Sequence, residues 1–202
     1  LTRVRLWNRE TGVDEWVPAS SLDLAYRYSN LKFTSRAVVL EIELQLERTD
    51  ESIPLRHLGG ARVPLAEARD SVLETRRAKG MVLDADDHDT WSAGSFFTNP
   101  VVPSALADEI AAQVGEEAMP RFAAGEGQEK LSAAWLIERA GCHRGFPGDD
   151  APARLSTKHT LALTNRGNAC AGDIVELARR VQAQVRDAFG VELHSEPVWV
   201  GL

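Results

Sequence analysis

A serine on a bend is the first residue that could do chemistry. Residues 92–100 read SAGSFFTNP, in which Ser95 directly follows Gly94. Glycine lets a backbone approach its surroundings closely, and the Asn-Pro pair is a turn signal. Two interpretations follow: an ordinary turn that contains a serine, or a turn that presents the Ser95 hydroxyl to a ligand.

Two further stretches place cations beside predicted element ends. RRAK at 76–79 ends a predicted helix, where cations pair with the helix dipole or clamp a diphosphate or carboxylate. STKHT at 156–160 puts Lys158 and His159 at the start of a predicted strand. That position fits a solvated strand end or donors turned into a cleft.

An arginine and a glutamate complete the set of candidate polar residues. Arg27 lies between two tyrosines in AYRYSNLK, which is typical of an arginine stacked on aromatic rings. Glu196 follows His194 by two residues in HSEPVWV, so on a strand both side chains share one face. A structural role and a site role are both open for these residues.

Established catalytic motifs are weak or absent. SNLK at 29–32 matches the SxxK pattern of some acyl-transferring enzymes, and Ser95 lacks a GxSxG elbow. GEGQEK at 125–130 lacks the third glycine of a dinucleotide fingerprint. A serine acyl-transferase or hydrolase that uses Ser95 or Ser29 stays an alternative. Its base would be one of four histidines: His88, His143, His159 or His194.

Composition narrows the class of protein. A formal net charge of -7 argues against nucleic-acid binding, and no apolar run reaches the length of about 20 residues that spans a bilayer. Cys142 and Cys170 lie far apart and form no zinc set with the five histidines. The sequence therefore predicts a cytoplasmic protein with reduced thiols, no metal and no membrane or nucleic-acid partner.

The pattern of elements predicts an α+β fold. A hairpin is predicted over 3–20, and a strand over 36–47 alternates apolar and charged residues, as in a sheet with one solvated face. Residues 50–64 lose this periodicity and are expected to hold a domain boundary. Helices and strands follow, with expected helices at 65–80, 103–117, 128–140 and 172–189 and expected strands at 153–165 and 191–202.

Six motifs together resemble one enzyme family. They occur in the family's order and approximate spacing: YRYSNLK, RRAKGMVLD, SAGSFFTNP, KLSAAWLIERAG, STKHTLALTN and VELHSEPVWVG. This pattern is similar to UDP-N-acetylmuramate dehydrogenase, also called UDP-N-acetylenolpyruvoylglucosamine reductase. The resemblance implies that NADPH reduces FAD and that the flavin then reduces UDP-N-acetylglucosamine enolpyruvate to UDP-N-acetylmuramate, a peptidoglycan precursor.

The resemblance also implies residue roles. Ser95 matches the proton donor to the substrate, and Arg27 and Glu196 match the groups that stabilise the enol intermediate. The positions that hold the UDP-sugar match Lys79, Asn99, His159 and Tyr26. Many relatives read EPEV around the glutamate, whereas here Ser195 precedes Glu196. In this interpretation Phe96 and Phe97 anchor the bend while Ser95 faces flavin and substrate.

A domain division follows from the same resemblance. Residues 1–57 correspond to the last strands of an FAD-binding domain, and residues 58–202 to the substrate-binding domain. The main FAD-binding region would then precede the first residue, and we expect the chain to be inactive alone. A non-catalytic UDP-sugar-binding module is the second alternative.

Overall fold

A computed structural model describes residues 1–25, 27–115 and 119–201. The chain divides into two units, Leu1–Leu65 and Ala66–Leu202. In the described ranges, every helix is too short or too polar to cross a membrane.

The first unit is built on a three-stranded antiparallel sheet. Its strands are β1 (Arg3–Asn8), β2 (Asp14–Pro18) and β3 (Ala37–Glu43), in the order β2-β1-β3. Val4 on β1 lies opposite Val17 and Ile42 and is buried with Leu6 and Leu22. The predicted hairpin is confirmed, and its turn closes where the Gly12 amide donates to the Asn8 carbonyl at 2.8 Å.

Strand β3 differs from its prediction in length and burial. It ends at Glu43, earlier than the expected end at 47. Its apolar side chains stay exposed on both faces, with Val39 51% and Ile42 56% exposed. Within the described residues, β3 is an outer strand that no helix of the first unit covers, so this chain shows no buried face on β3, unlike the expected sheet with one solvated side.

The division between the units falls later than the expected boundary at 57/58. Residues 51–64 form a loop whose two arms pair, since Ser52 donates to the Val63 carbonyl at 2.8 Å and Leu55 to that of Ala61 at 3.0 Å. A boundary at 57/58 would separate these arms. The identification of the first unit with part of an FAD-binding domain stays a prediction.

Among its described residues, the second unit combines four α-helices and two small antiparallel sheets. The helices are α1 (Leu65–Ala78), α2 (Ser104–Val114), α3 (Ala133–Arg139) and α4 (Ala171–Phe189). One sheet has the order β4-β9-β8, from Ser92–Ser95, Ala162–Asn165 and Ala153–Leu155. The other has the order β5-β7-β6, from Val101–Pro103, Gln128–Leu131 and Arg121–Ala123. The expected α+β class is confirmed.

Helix α4 supplies one wall of the core of the second unit. Its buried side chains recur every four residues, which gives one apolar stripe along the helix: Leu177, Val181, Val185 and Phe189. They pack with buried residues of α3 in a single cluster. Each such side chain contributes about 1.5–3 kcal/mol to the stability of the fold when it is fully buried. The stripe therefore holds α4 firmly against the core of the second unit.

Three predicted elements are corrected. The helix expected over 128–140 begins only at Ala133, because Ser132 caps it by accepting from the Trp135 amide at 3.3 Å and β7 occupies 128–131. The strand expected over 153–165 is two strands with a turn between them, and most of the strand expected over 191–202 is irregular. Residues 116–117 and 202 of the expected elements lie outside the described residues.

Candidate active site

Ser95 lies at the end of β4, opposite Ala162 of β9. The neighbouring phenylalanines are buried, with Phe97 2% exposed, and their rings meet edge to face with centroids 5.1 Å apart. The expected anchor is therefore confirmed, and Ser95 itself is exposed. Gly94 has a φ of +81°, which favours glycine, and a Cβ there would meet no protein atom within 4 Å. A close approach of this backbone to a ligand stays a prediction.

Main-chain pairing brings Glu196 opposite Phe96, the residue that follows Ser95. The Glu196 amide donates to the Phe96 carbonyl at 2.8 Å, and the Thr98 amide donates to the His194 carbonyl at 3.0 Å. These two bonds form the bridge between Phe97 and Ser195. The bridge does not use the amide of Ser195, so these two bonds do not distinguish serine from proline, which many relatives have at this position.

His159 lies on the turn that joins β8 and β9. The Ser156 hydroxyl accepts from the amides of Lys158 at 3.0 Å and His159 at 3.3 Å, which shapes the turn. Just after the turn, the Leu161 carbonyl accepts from the Phe96 amide at 2.8 Å. The His159 turn and the Ser95 bend are thus joined through the backbone.

Lys79 occupies the position where α1 ends. The amide of Met81 donates to the Arg76 carbonyl at 2.8 Å and that of Gly80 to Arg77 at 2.9 Å. This pair of bonds, with Gly80 at a φ of +68°, is a Schellman motif. The exposed Lys79 side chain therefore leaves a fixed backbone.

Lys79 and Arg144 lie near enough to His159 for their positive charges to act on its pKa, and we call these three residues the cationic cluster. Burial lowers the pKa of His159 below its usual value, and the positive charges of Lys79 and Arg144 lower this pKa further. Three basic side chains in a chain with a net charge of -7 make a local site for an anion. Burial first, and the two positive charges second, therefore favour the neutral form of His159.

Arg144 is the member of this cationic cluster that the sequence did not reveal. Its loop runs along β8, because Gly145 donates to the Leu155 carbonyl at 3.1 Å and Leu155 donates to that of Phe146 at 2.8 Å. The loop has no hydrophobic period, so its partner strand could not be read from the sequence. A basic residue next to glycine was the only signal.

Asn99 has a structural contact within the unit. Its Oδ1 accepts from the Ala133 amide at 3.0 Å, which satisfies the first amide of α3. The side chain is otherwise exposed. A role for Asn99 in substrate binding would therefore use its amide nitrogen and stays a prediction.

The remaining expected residues lie elsewhere or have other contacts. Arg27 belongs to the first unit, at a φ of +55°, and Tyr26 lies outside the described residues. Lys158 pairs with Asp87 at 2.5 Å, so its ammonium is not turned into an open cleft. The Lys32 ammonium of the SxxK pattern donates to the Arg27 carbonyl at 2.8 Å rather than to Ser29. The part of the chain that the structure describes holds no cluster of metal ligands.

The geometry defines an α+β domain with an exposed hydroxyl, a neighbouring carboxyl and a cationic cluster, all carried on turns. A family model described as "UDP-N-acetylenolpyruvoylglucosamine reductase, C-terminal domain" matches residues 86–200. The chain belongs to the UDP-N-acetylenolpyruvoylglucosamine reductase family, which confirms the resemblance carried by its motifs.

Individual relatives agree with this membership. UDP-N-acetylenolpyruvoylglucosamine reductase 2 of Corynebacterium glutamicum is 60% identical over 214 residues, covering 100% of this chain and 58% of that protein. The Corynebacterium diphtheriae reductase is 57% identical over 209 residues, covering 100% of this chain and 55% of its own length. The chain thus spans little more than half of these relatives.

A solved structure shares the fold. The crystal structure of the Thermus caldophilus UDP-N-acetylenolpyruvylglucosamine reductase covers 97% of this chain and 52% of that one, with a TM-score of 0.52 and 22% identity. At this identity the likeness concerns the fold alone.

Proposed function

We propose that the full-length protein reduces UDP-N-acetylglucosamine enolpyruvate to UDP-N-acetylmuramate for peptidoglycan synthesis, and that this chain binds and protonates the substrate. The observation that supports the proposal is the main-chain bridge between the segment that follows Ser95 and the segment that carries Glu196. Main-chain bonds at Phe96 and Thr98 hold an exposed hydroxyl and an exposed carboxyl on adjoining backbone segments. Family membership supplies the substrate class.

Ser95 is the proposed proton donor. Hydride addition at the outer carbon of the enolpyruvyl group leaves negative charge on the carbon beside the carboxylate, and the Ser95 proton moves to that carbon. An enolate is a strong enough base to take a proton from a hydroxyl that lies within hydrogen-bond reach. The Ser95 hydroxyl donates to no other described residue of its unit, so it is available for this contact.

Arg27 and Glu196 are the proposed stabilising groups. The charge that develops on the substrate carboxylate needs a permanent cation, and arginine offers two donors in forked geometry. A preorganised donor at such a charge contributes on the order of 3 kcal/mol. Glu196 acts on the same intermediate, as a donor when protonated or by orienting a neighbour when ionised.

The cationic cluster is the proposed site for the diphosphate of the UDP-sugar. Lys79 and Arg144 supply permanent charge, and His159 gains a proton as the anion binds, because the anion offsets the charges that lower its pKa. Asn99 and Tyr26 are the further residues proposed to bind the sugar nucleotide. A cytoplasmic location stays a prediction from the sequence.

Three helix N-termini among the described residues are not open to the diphosphate of FAD. A flavin diphosphate needs free backbone amides, commonly at a helix N-terminus. Within the described ranges the first amides of three helices are taken by the chain itself: Leu65 by Asp50, Ser104 by Gly127 and Ala133 by Asn99. We propose that FAD is held by the part of the protein beyond this sequence, where FAD reduced by NADPH would supply the hydride.

The test compares two half-reactions of the full-length protein with Ser95→Ala. The substitution leaves the main-chain bonds of β4 in place. We expect unchanged reduction of the flavin by NADPH and unchanged substrate binding, with reoxidation by substrate slowed about 10²- to 10⁴-fold. Stopped-flow absorbance of the flavin measures both steps, and Ser92→Ala on the same strand is the matched control.

Other outcomes identify the alternatives. Reoxidation at the wild-type rate in Ser95→Ala would remove Ser95 as the acid. Covalent labelling of Ser95 or Ser29 by a serine-reactive phosphonate, without flavin, would favour an acyl-transferase or hydrolase. Binding of the sugar nucleotide without turnover under any cofactor condition would favour a non-catalytic binding module.

A further inference from the structure

Asp89 is a buried carboxylate that the reaction does not use. It is only 5% exposed, and a buried charge is costly unless both oxygens are hydrogen-bonded. Oδ1 accepts from the Thr157 amide at 3.0 Å and from Arg166 Nη1 at 2.9 Å. Oδ2 accepts from the Thr157 hydroxyl. Burial raises the pKa of Asp89, but these bonds outweigh it and the pKa is lowered, so Asp89 is ionised at neutral pH.

The backbone of Asp89 also passes close to Gly80, the residue that follows Lys79 of the cationic cluster. A Cβ built on Gly80 would lie 2.8 Å from the Asp89 carbonyl oxygen, so only glycine lets the chain pass there without displacement. Gly80 directly follows Lys79 in the Schellman motif that ends α1. The main chain of Asp89 therefore restricts the position of the helix end that carries Lys79.

A second aspartate strengthens the same connection. Asp87 accepts from the Asp89 amide at 2.9 Å and from Lys158 Nζ at 2.5 Å. Two successive residues of the turn, Thr157 and Lys158, are thus held by two aspartates. His159 comes next in the chain, so the bonds that hold Thr157 and Lys158 also restrict the position of His159.

We propose that Asp89 is a positioning residue that sets the distance between Lys79 and His159 and thereby shapes the diphosphate site. Its side chain fixes the turn that carries His159, and its main chain fixes the helix end that carries Lys79. The inference rests on the proposed function only for the identity of the ligand. The positioning itself concerns groups that are present without ligand.

The first measurement is the pKa of His159 in the full-length protein, by NMR titration of its ring signals, assigned with His159→Gln. Asparagine at 89 can keep one oxygen for the Thr157 amide and Arg166, but it replaces the acceptor of the Thr157 hydroxyl by a donor and leaves Arg166 without its counter-charge, so the hold on the turn is weakened. We expect the His159 pKa to rise toward its ordinary value in Asp89→Asn. Loss of the negative charge alone would lower it, so the sign separates displacement from direct electrostatics.

Matched variants complete the design. Asp86→Asn makes the same charge change on an exposed residue and should leave the His159 pKa unchanged. Thr157→Val removes one bond to Asp89 and should raise this pKa, whereas Thr157→Ser keeps the hydroxyl and should restore the wild-type value. If Asp89→Asn fails to fold, the comparison of Thr157→Val with Thr157→Ser tests the positioning role by itself.

The second measurement is the Kd for UDP-N-acetylglucosamine by calorimetry. We expect Asp89→Asn and Thr157→Val to weaken binding about tenfold to 100-fold, with Asp86→Asn and Thr157→Ser near wild type. An unchanged or lowered His159 pKa in both folded variants, Asp89→Asn and Thr157→Val, would overturn the positioning role. A raised pKa in a protein that does not bind the nucleotide would instead overturn the proposed function and leave the positioning role intact.

Discussion

Replacing Gly80 by alanine tests the contact between the end of α1 and Asp89. Gly80 has a φ of +68°, where a side chain costs about 1–2 kcal/mol. Its Cβ would also lie 2.8 Å from the Asp89 carbonyl oxygen, which must shift by several tenths of an ångström. Overpacking of this kind adds about 1–3 kcal/mol. We expect Gly80→Ala to lower the stability of the second unit by about 2–5 kcal/mol in total.

Gly190 offers a matched control. It follows the end of α4 at a φ of +65°, and a Cβ there would meet no atom within 4 Å. Gly190→Ala should therefore cost only the backbone part, about 1–2 kcal/mol. The difference between the two variants isolates the contact with Asp89.

The assay is native-state hydrogen exchange of buried α4 amides in the full-length protein, because it reports the opening free energy of this unit. The contact predicts amides of Val181 and Val185 that exchange about 5- to 150-fold faster in Gly80→Ala than in Gly190→Ala. Equal exchange in the two variants would refute the contact. If the Kd for UDP-N-acetylglucosamine rises in Gly80→Ala and not in Gly190→Ala, the contact also shapes the nucleotide site.

Three other predictions concern the charges and thiols of the second unit. Burial and two cations lower the pKa of His159 in the free protein, and a bound anion should raise it. UDP-N-acetylglucosamine should therefore bind more tightly as pH falls from about 8 to 6. Measured by calorimetry, the Kd of His159→Gln should not depend on pH in this way, and a wild-type Kd that is independent of pH would contradict the prediction. Lys79→Ala should weaken the same ligand about tenfold or more with little loss of stability, since Lys79 is exposed, and an unchanged Kd would remove it from the site. Iodoacetamide should modify the exposed Cys170 in the native protein, whereas Cys142, buried with a pKa raised to about 11, should react only after unfolding; equal rates by mass spectrometry would show that Cys142 is accessible.

Elements with a strong period could be predicted from the sequence, and short ones could not. The apolar stripe of α4 and the alternation of β1 each identify a face, and both elements lie where they were expected. Residues 128–131 favour helix by type, but pairing with β5 and β6 and the cap at Ser132 place them in β7. Tertiary pairing decides such short segments, so their local sequence is a poor guide.

The candidate site divides in the same way. The motifs made Ser95, Glu196, Lys79 and His159 candidates, because each lies in a stretch that resembles the family, and their roles stay predictions. They gave no reason for Asp89, whose role depends on meeting Thr157, a residue far along the chain. A carboxylate in a polar stretch has no sequence signal that separates a buried hub from a solvated surface residue.

The way in which Ser95 and Glu196 are held determines how their variants can be interpreted. The amide of Phe96, next to Ser95, donates to the Leu161 carbonyl, and the Glu196 amide donates to the Phe96 carbonyl. These main-chain bonds do not involve the Ser95 or Glu196 side chain, so truncating either side chain leaves them in place. If both act on one intermediate, the double variant Ser95→Ala with Glu196→Gln should lose less than the sum of the two single losses in activation free energy. Additive losses would mean that the two groups act in separate steps, and Glu196 would then have to be assigned to substrate binding rather than to the intermediate.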